Sequence, residues 1–397
     1  MLLPVADALA RVLRLVEPVG TEEIPLAEAT GRVLAADAVA ARSQPPFPAS
    51  AMDGYAVRAA DAGVGARLTV TGEAAAGNGH GDHVGPGEAV RIFTGAPVPE
   101  GADTILIQEN AIGENGTIEV AQAPAPWEYI RPAGMDFAEG FRLAAPRRLS
   151  GRECALLAAM NVARLTVRRR PVVALIPTGN ELVEPGQIPG PNQIVSSNDI
   201  GLAAMLAAAG SEPKRCPIAR DSRDSLLAAL EPARGADFIV TLGGVSVGDH
   251  DLVAQVFGEA GLETDFYKIA MRPGKPLMAG KFGGKVMLGL PGNPVSAMVC
   301  GEVLLKPAID AALGLPAGPR TTRAAFLSHD LGPNGPREHY MRANLSLAAD
   351  GLMRCEVAEN QDSSLVATLA WANALAIRPP DAPAATAGSA IDCIPLD

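Results

Sequence analysis

Three stretches of the chain combine residues suited to holding an anion. "PTGNEL" (177–182), "LGGVSVGDHD" (242–251) and "LPGNPVSA" (290–297) each follow an apolar run and precede a helical pattern. Glycine or proline stands in each where backbone N–H groups can turn toward a ligand at a helix N-terminus. Thr178, Gly179, Asn180, Gly243, Gly244 and Ser246 are therefore candidate ligand contacts. A fourth segment, "YKIAMRPGKPLMAGK" (267–281), adds the cations Lys268, Arg272, Lys275 and Lys281, and Pro273 and Pro276 stiffen the backbone around Lys275. The acids Glu181, Asp221, Asp249 and Asp251 in or near these loops cannot face a bare phosphate without a cation between them. Mg²⁺ binds through one or two carboxylates together with substrate phosphates. The combination predicts a magnesium-bound phosphate, in particular a phosphoanhydride, with Asp249 and Asp251 on the metal or its waters. Capping the following helix is the competing role for one of those two.

The elements that position these loops follow from periodicity. Between 171 and 314 the chain alternates "PVVALIP", "KRCPIA", "ADFIVTLG" and "KVMLGLPG" with the helical patterns "NDIGLAAMLAAAG", "SRDSLLAALEPA" (Ser222 at its cap), "DHDLVAQVFGEAG" and "NPVSAMVCGEVLLKPAIDAALG". Such alternation predicts a doubly wound parallel sheet with helices on both faces, and ligands at the carboxyl ends of its strands. Residues 42–136 are Gly- and Pro-dense with short alternating runs such as "EAVRIFTG", which predicts a small β-domain. A helix over 149–162 carries a capping box of Ser150 and Glu153. The arginines of "RLTVRRRP" (164–171) read as an exposed linker or edge strand in preference to a phosphate patch. The predicted organisation is an extended N-terminal domain (1–41 with 137–170), a small β-domain (42–136), an α/β domain (171–318) and a C-terminal β-domain (319–397) without an obvious helix.

Composition narrows the function. Hydrophobic residues make up 48% and charged residues 19%, a globular balance. A formal net charge of −11 disfavours nonspecific binding to nucleic acid or anionic membranes, and aromatics at 4% disfavour a base-stacking platform. The five cysteines never form a CxxC pair, which suits a reducing compartment. In "MLLPVADALARVLRLVEPVG", charged residues from Asp7 onward interrupt a secretory apolar core, and Val5, Leu9, Val12 and Val16 share one helical face. No later run spans a membrane, so a cytoplasmic location is expected. "GHGDH" (79–83) imitates a metal motif but lies in a Gly-rich stretch and reads as an exposed turn. Met271 and Met278 read as core rather than as a ligand wall.

Together "SAMDGYA", "FTGAPVPEGADT", "PTGNEL", "GGVSVGDHD", "RPGKP" and "GLPGNPVSA", in this order over nearly the whole chain, resemble the molybdopterin molybdenumtransferases, the family that includes the E domain of gephyrin. The resemblance implies that adenylylated molybdopterin and molybdate are the substrates, that Mg²⁺ assists phosphoanhydride cleavage with release of AMP, and that molybdenum is left on the dithiolene sulfurs. It also implies an elongated homodimer of four-domain subunits in which part of the small β-domain reaches the neighbouring subunit's site. A separate molybdopterin adenylyltransferase and molybdoenzyme acceptors are possible partners. Arg272, Lys275, Pro276, Ser296, Arg342 and Ser363 are implied for molybdate and the cofactor. Asp53, Asp136, Glu181, Asp221 and Asp251 match active-site carboxylates, Asp53 placing the hydrolytic water or the nucleotide, and Thr94 donates near the phosphates. Family members often carry Lys at the position of Arg272, whose fixed fork replaces a point donor. Division of roles among the carboxylates stays open.

Three other readings explain less. An adenylyltransferase accounts only for the α/β region. A non-catalytic peptide-binding scaffold has no need of Asp53, Asp251 and Lys275 together. A generic phosphotransferase lacks GxxxxGK[ST].

Overall fold

The computed structural model describes residues 2–244 and 252–396, so Ser246, Asp249 and Asp251 lie outside the described residues. The chain divides into two compact units, one of Met1–Glu22 with Arg168–Asp397 and the other of Glu23–Val167.

The first unit contains a six-stranded sheet ordered Glu212–Arg215, Val172–Pro177, Phe238–Leu242, Lys285–Leu290, Met278–Phe282 and Leu262–Tyr267. The first four strands are parallel; Met278–Phe282 runs antiparallel to both of its neighbours and turns the sheet mixed, and Leu262–Tyr267 points the same way as the first four. The parallel strands are near-continuous apolar runs because both of their faces are covered. Ala174, Ile176 and Met287 pack with Leu226, Val256 and Phe257 of the helices Arg223–Ala228 and Leu252–Glu259. Helix Asn198–Ala208 packs on the strands Glu212–Arg215 and Val172–Pro177 and on the helix Pro294–Cys300. The sequence reading missed Leu262–Tyr267 and Met278–Phe282. A bulge between Thr264 and Phe266 breaks the alternation of the first, and charge drew attention away from the second. Met271 and Met278 are buried, as core residues.

The N-terminal helix Val5–Leu15 buries Val5, Ala8, Leu9 and Val12. It belongs to this first unit, against Met278–Phe282 and the helix Lys306–Ala312. Arg11 pairs with Asp265 at 3.8 Å and Glu17 with Lys281 at 3.2 Å. By contact the helix thus falls in one unit with residues 168–397, while Thr21–Pro25 lies beside Arg164–Arg168 in a sheet. An amphipathic helix goes where its apolar stripe can be covered.

A second sheet of this unit is a closed barrel ordered Met271–Arg272, Glu338–Leu347, Met353–Val357, Arg323–Leu327, Ala390–Pro395 and Ala374–Arg378, with the last strand pairing back onto Glu338–Leu347. Ala325, Leu327, Ala343, Cys355 and Cys393 fill it. The five strands from Glu338–Leu347 to Ala374–Arg378 close the ring, and Met271–Arg272 is added at its margin, paired only with Glu338–Leu347. A short helix, Val366–Trp371, departs from the expectation that this region has none; six residues are too few to show a 3.6-residue period.

In the second unit a six-stranded sheet is ordered Thr104–Ile107, Gly54–Val57, Glu88–Ile92, Arg67–Ala74, Thr117–Val120 and Ala111–Glu114. Helix Gly151–Ala159 begins with the predicted capping box. The strand Arg164–Arg168 lies between Thr21–Pro25 and Val33–Leu34, inside a sheet and not at its edge. Its flanking arginines are engaged: Arg169 forks onto Asp237 at 2.6 and 2.7 Å, and Arg164 meets Glu23 at 3.7 Å. Among the described residues no group of three His, Cys, Asp or Glu side chains is arranged to hold a metal, and Asp82 and His83 are exposed.

Candidate active site

The ends of the parallel strands are tied together by main-chain bonds. Thr178 N–H donates to the Leu242 carbonyl at 2.9 Å, and Gly179 N–H donates to that of Ala219 at 3.0 Å. Asn180 and Asp221 exchange bonds, each side chain accepting from the other's N–H at 3.1 Å. The Arg220 guanidinium donates to the carbonyls of Gly179, Asn180 and Leu182 at 3.0–3.2 Å. Asp221 therefore holds the 178–182 loop in shape. Gly243 has φ of 99°, and a Cβ there would stand 2.7 Å from the Thr178 carbonyl oxygen. Gly243→Ala is expected to cost roughly 1–3 kcal/mol, since it imposes both strain and a clash. Urea unfolding would measure it, and a variant as stable as the parent would show that the 178 carbonyl yields freely.

These loops border a cleft of about 490 Å³ lined by Thr178, Glu181, Ser197, Asn198, Pro276 and Asn293, among others. Two helices begin on it, Asn198–Ala208 and the long helix that starts at Pro294. Helix N-termini carry partial positive charge, which favours an anion, although at the second of them Pro294 has no N–H and that of Val295 is bonded to Ser363. Asn198 Nδ2 donates to the Gly292 carbonyl at 2.7 Å and fixes the two starts together. Glu181 stands exposed at the rim and Thr178 is buried.

Pro276, Pro291 and Asn293 also line an adjoining basic pocket of about 330 Å³. Arg272, Lys275, Ser296, Arg337, Asp362 and Ser363 surround it. The turn that presents Arg272 and Lys275 needs Gly274, with φ of 115° and a Cβ site 2.6 Å from Cys300 Sγ. Ser363 Oγ accepts from Asn293 Nδ2 at 2.7 Å, and its carbonyl accepts from Val295 N–H at 3.1 Å. The Asp362 carboxylate accepts from the Ser364 hydroxyl at 2.6 Å and its N–H at 2.9 Å, bonds that hold it below the usual carboxylate range. His339, register partner of Arg272, is pushed down to about 4 by burial and by the surrounding arginines, so it adds no charge here near neutral pH.

Of the four cations read from 267–281, Arg272 and Lys275 face this pocket. Lys268 lies over the Tyr267 ring, and Lys281 pairs with Glu17. Arg342 stands behind the pocket. It is fully buried and donates to the carbonyls of Asp362 at 2.7 Å and Asn360 at 3.1 Å, and to Gln361 Oε1 at 3.2 Å. It supports the turn that carries Ser363. Arg337 was missed by sequence reading. Its one cue was a positive charge just before the Glu338–Leu347 strand, and nothing in the spacing linked it to "RPGKP".

In the Glu23–Val167 unit, Asp53 Oδ1 accepts from Thr94 N–H at 2.7 Å and its hydroxyl at 2.8 Å. The Thr94 N–H, then the hydroxyl, hold the Asp53 carboxyl below its ordinary value, with Arg91 adding to the effect. The Thr94 hydroxyl, expected from the resemblance to donate near the phosphates, here donates to Asp53. Asp136 is exposed, and its N–H donates to the Gln44 carbonyl at 2.9 Å.

Strand ends, helix starts and the cations Arg272, Lys275 and Arg337 converge on adjoining pockets of an α/β unit, an arrangement suited to binding anions. Residues 3–161 match the MoeA N-terminal region (domain I and II), 174–311 the probable molybdopterin binding domain and 324–396 the MoeA C-terminal region (domain IV). A molybdopterin molybdenumtransferase of a Nostoc species is 38% identical over 90% of this chain and 85% of its own. The Bacillus subtilis protein of that name is 34% identical over 95% and 90%. The crystal structure of a molybdopterin biosynthesis MoeA protein from Pyrococcus horikoshii superposes over the full length of both chains with TM-score 0.86 at 30% identity. The chain belongs to the molybdopterin molybdenumtransferase family, a family of transferases in molybdenum cofactor biosynthesis.

Proposed function

We propose that the chain transfers molybdenum from molybdate to adenylylated molybdopterin, with cleavage of the phosphoanhydride and release of AMP. The observation that carries this reading is the continuity of the basic pocket with the polar cleft through Pro276, Pro291 and Asn293. A tetrahedral dianion suits Arg272, Lys275 and Arg337, with Ser296 and Ser363 as hydroxyl donors. A phosphoanhydride suits the Thr178–Glu181 loop and the two helix N-termini. Bound side by side, the sulfurs and the oxyanion meet without diffusion, which is where most of the rate gain would arise.

Mg²⁺ is assigned to Asp249 and Asp251, with Glu181 the one carboxylate among the described residues that lines the cleft. It would supply charge neutralisation at the phosphates. In this reading the Asp53–Thr94 pair serves the nucleotide end of the neighbouring subunit's site in a homodimer, and the molecule works in the cytoplasm. No helix among the described residues is long and apolar enough to cross a membrane. A molybdopterin adenylyltransferase would supply the substrate and a molybdoenzyme would take the product.

The test is AMP release from adenylylated molybdopterin at fixed Mg²⁺, with and without molybdate, and after chelation. Release that needs both ions is expected. Substrate that binds yet yields no AMP under any of these conditions would sink the reaction and leave a binding protein.

A further inference from the structure

One polar side chain at the margin of the barrel has nothing to bond with. His339 is 6% exposed, and its Nε2 is shut off from solvent with no hydrogen-bond partner among the described residues. Buried polar atoms are almost always paired, and the exceptions call for a physical reason. Along Glu338–Leu347, Met341, Ala343 and Leu345 are in step with His339 and belong to the barrel core. Alternation puts Glu338, Tyr340 and Arg342 on the other face, where Glu338 accepts from the Tyr340 hydroxyl. His339 is paired in register with Arg272 on one side and Arg378 on the other, so both of these side chains share its face. Arg272 and Arg337 line the basic pocket, while Arg378 is buried and donates to the carbonyls of Gly332 and Pro383. Asp362, on the turn beside Arg342, is occupied by Ser364. Burial, then the charges of Arg272, Arg337, Arg342 and Arg378, push the imidazole down to about 4, so it is neutral near pH 7 before an anion arrives. The arginines keep their charge throughout; the imidazole can gain one.

Resting on the assignment of the basic pocket to molybdate, we infer that His339 takes up one proton when the dianion binds. Two negative charges set against Arg272, Lys275 and Arg337 offset the repulsion that keeps the imidazole neutral. The proton comes from solvent, and the N–H is the one bond formed. The pocket then has a further positive charge behind its lining. His339 is not one of the residues that line it, so it acts through its neighbours Arg272 and Arg337, as a positioning residue. A permanent cation here would add self-repulsion at all times, whereas one acquired on loading does not. Because binding raises the imidazole's pKa, the extra affinity is present below the raised value and is lost as the pH climbs through it.

The experiment is calorimetric titration of the full chain with sodium molybdate at about pH 6.5 and about pH 8, each in two buffers of different ionisation enthalpy. The slope of binding heat against that enthalpy counts the protons taken up. The parent is expected to take up roughly 0.5–0.9 proton per molybdate at the lower pH and no more than about a quarter at the higher. His339→Gln should take up none, bind molybdate about two- to tenfold more weakly at the lower pH, and match the parent within about 1.5-fold at the higher. His339→Asn takes its place if the first variant does not fold. Binding heats of the parent that are independent of buffer at the lower pH would overturn the inference and leave the oxyanion assignment standing. An unchanged proton count in the variant would also overturn it, as would an equal loss of affinity at both pH values, the mark of a packing role. A parent that binds no molybdate at either pH would overturn both.

Discussion

Lys275→Ala is expected to raise the molybdate concentration that half-saturates AMP release by roughly 10- to 100-fold, because a charge-assisted hydrogen bond is worth about 1.5–3 kcal/mol. The effect should fall on the oxyanion and not on the nucleotide. Lys275 lines the basic pocket and is absent from the walls of the polar cleft proposed for the phosphates, so AMP affinity should stay within about threefold of the parent. Its backbone is pinned by the bond from Ile269 N–H to the Lys275 carbonyl at 3.1 Å and by prolines on both sides of Gly274–Lys275, so the turn survives truncation of the side chain. Lys275→Arg should recover part of the saturation. It keeps the charge but spreads it over a planar fork, which is poorer at the apex of a small tetrahedral anion already met by Arg272. A molybdate titration that superposes on that of the parent would remove Lys275 from the oxyanion site and with it the main support for the pocket's assignment.

The parts of this site that were legible in the sequence are those determined locally. A glycine pair after a buried strand, or "PGNP" before an apolar period, states its own geometry, because only a few backbone conformations accept such residues. The loops at 178–182 and 290–297 were read in this way, and they do flank one cleft. What stayed hidden depends on contacts between distant segments. Arg337 joins Arg272 only because Met271–Arg272 runs parallel to Glu338–His339 at the barrel's margin, a pairing across more than 60 residues that no periodicity announces. The fate of equal charges was hidden for the same reason. Lys268, Arg272, Lys275 and Lys281 look alike in sequence, and only the sheet's bulged edge and the N-terminal helix decide that two of them leave the pocket.

Arg342 and Arg337 offer the sharpest separation between a supporting cation and one that meets the ligand. Arg342→Met should lower the thermal midpoint by roughly 5 °C or more. The guanidinium is fully buried, and burial already depresses its pKa, yet it is retained by three acceptors from Asn360, Gln361 and Asp362. Methionine fills much of the space but takes the side-chain donor from the Asn360 carbonyl. Gln361 Oε1 keeps the Arg342 N–H at 3.0 Å, and the Asp362 carbonyl keeps the Leu365 N–H at 3.3 Å. The loss is therefore about 1–3 kcal/mol for an acceptor that cannot reach water. Because the same turn carries Asp362 and Ser363 into the basic pocket, molybdate saturation should weaken as well, as a consequence of the lost support. Arg337→Met should do the reverse. Its guanidinium makes one long bond, to the Met271 carbonyl at 3.4 Å, so the midpoint should move by no more than about 2 °C. The half-saturating molybdate concentration should nevertheless rise about tenfold, as a pocket of three cations is left with two. Thermal scans and molybdate titrations on the two variants decide the matter together. If Arg342→Met melts like the parent and still loses molybdate, Arg342 turns toward the anion during turnover and the resting bonds to the 360–362 turn are only its parking position. If Arg337→Met saturates normally, the oxyanion is held by Arg272 and Lys275 alone, and the pocket's third cation serves the barrel edge on which it stands.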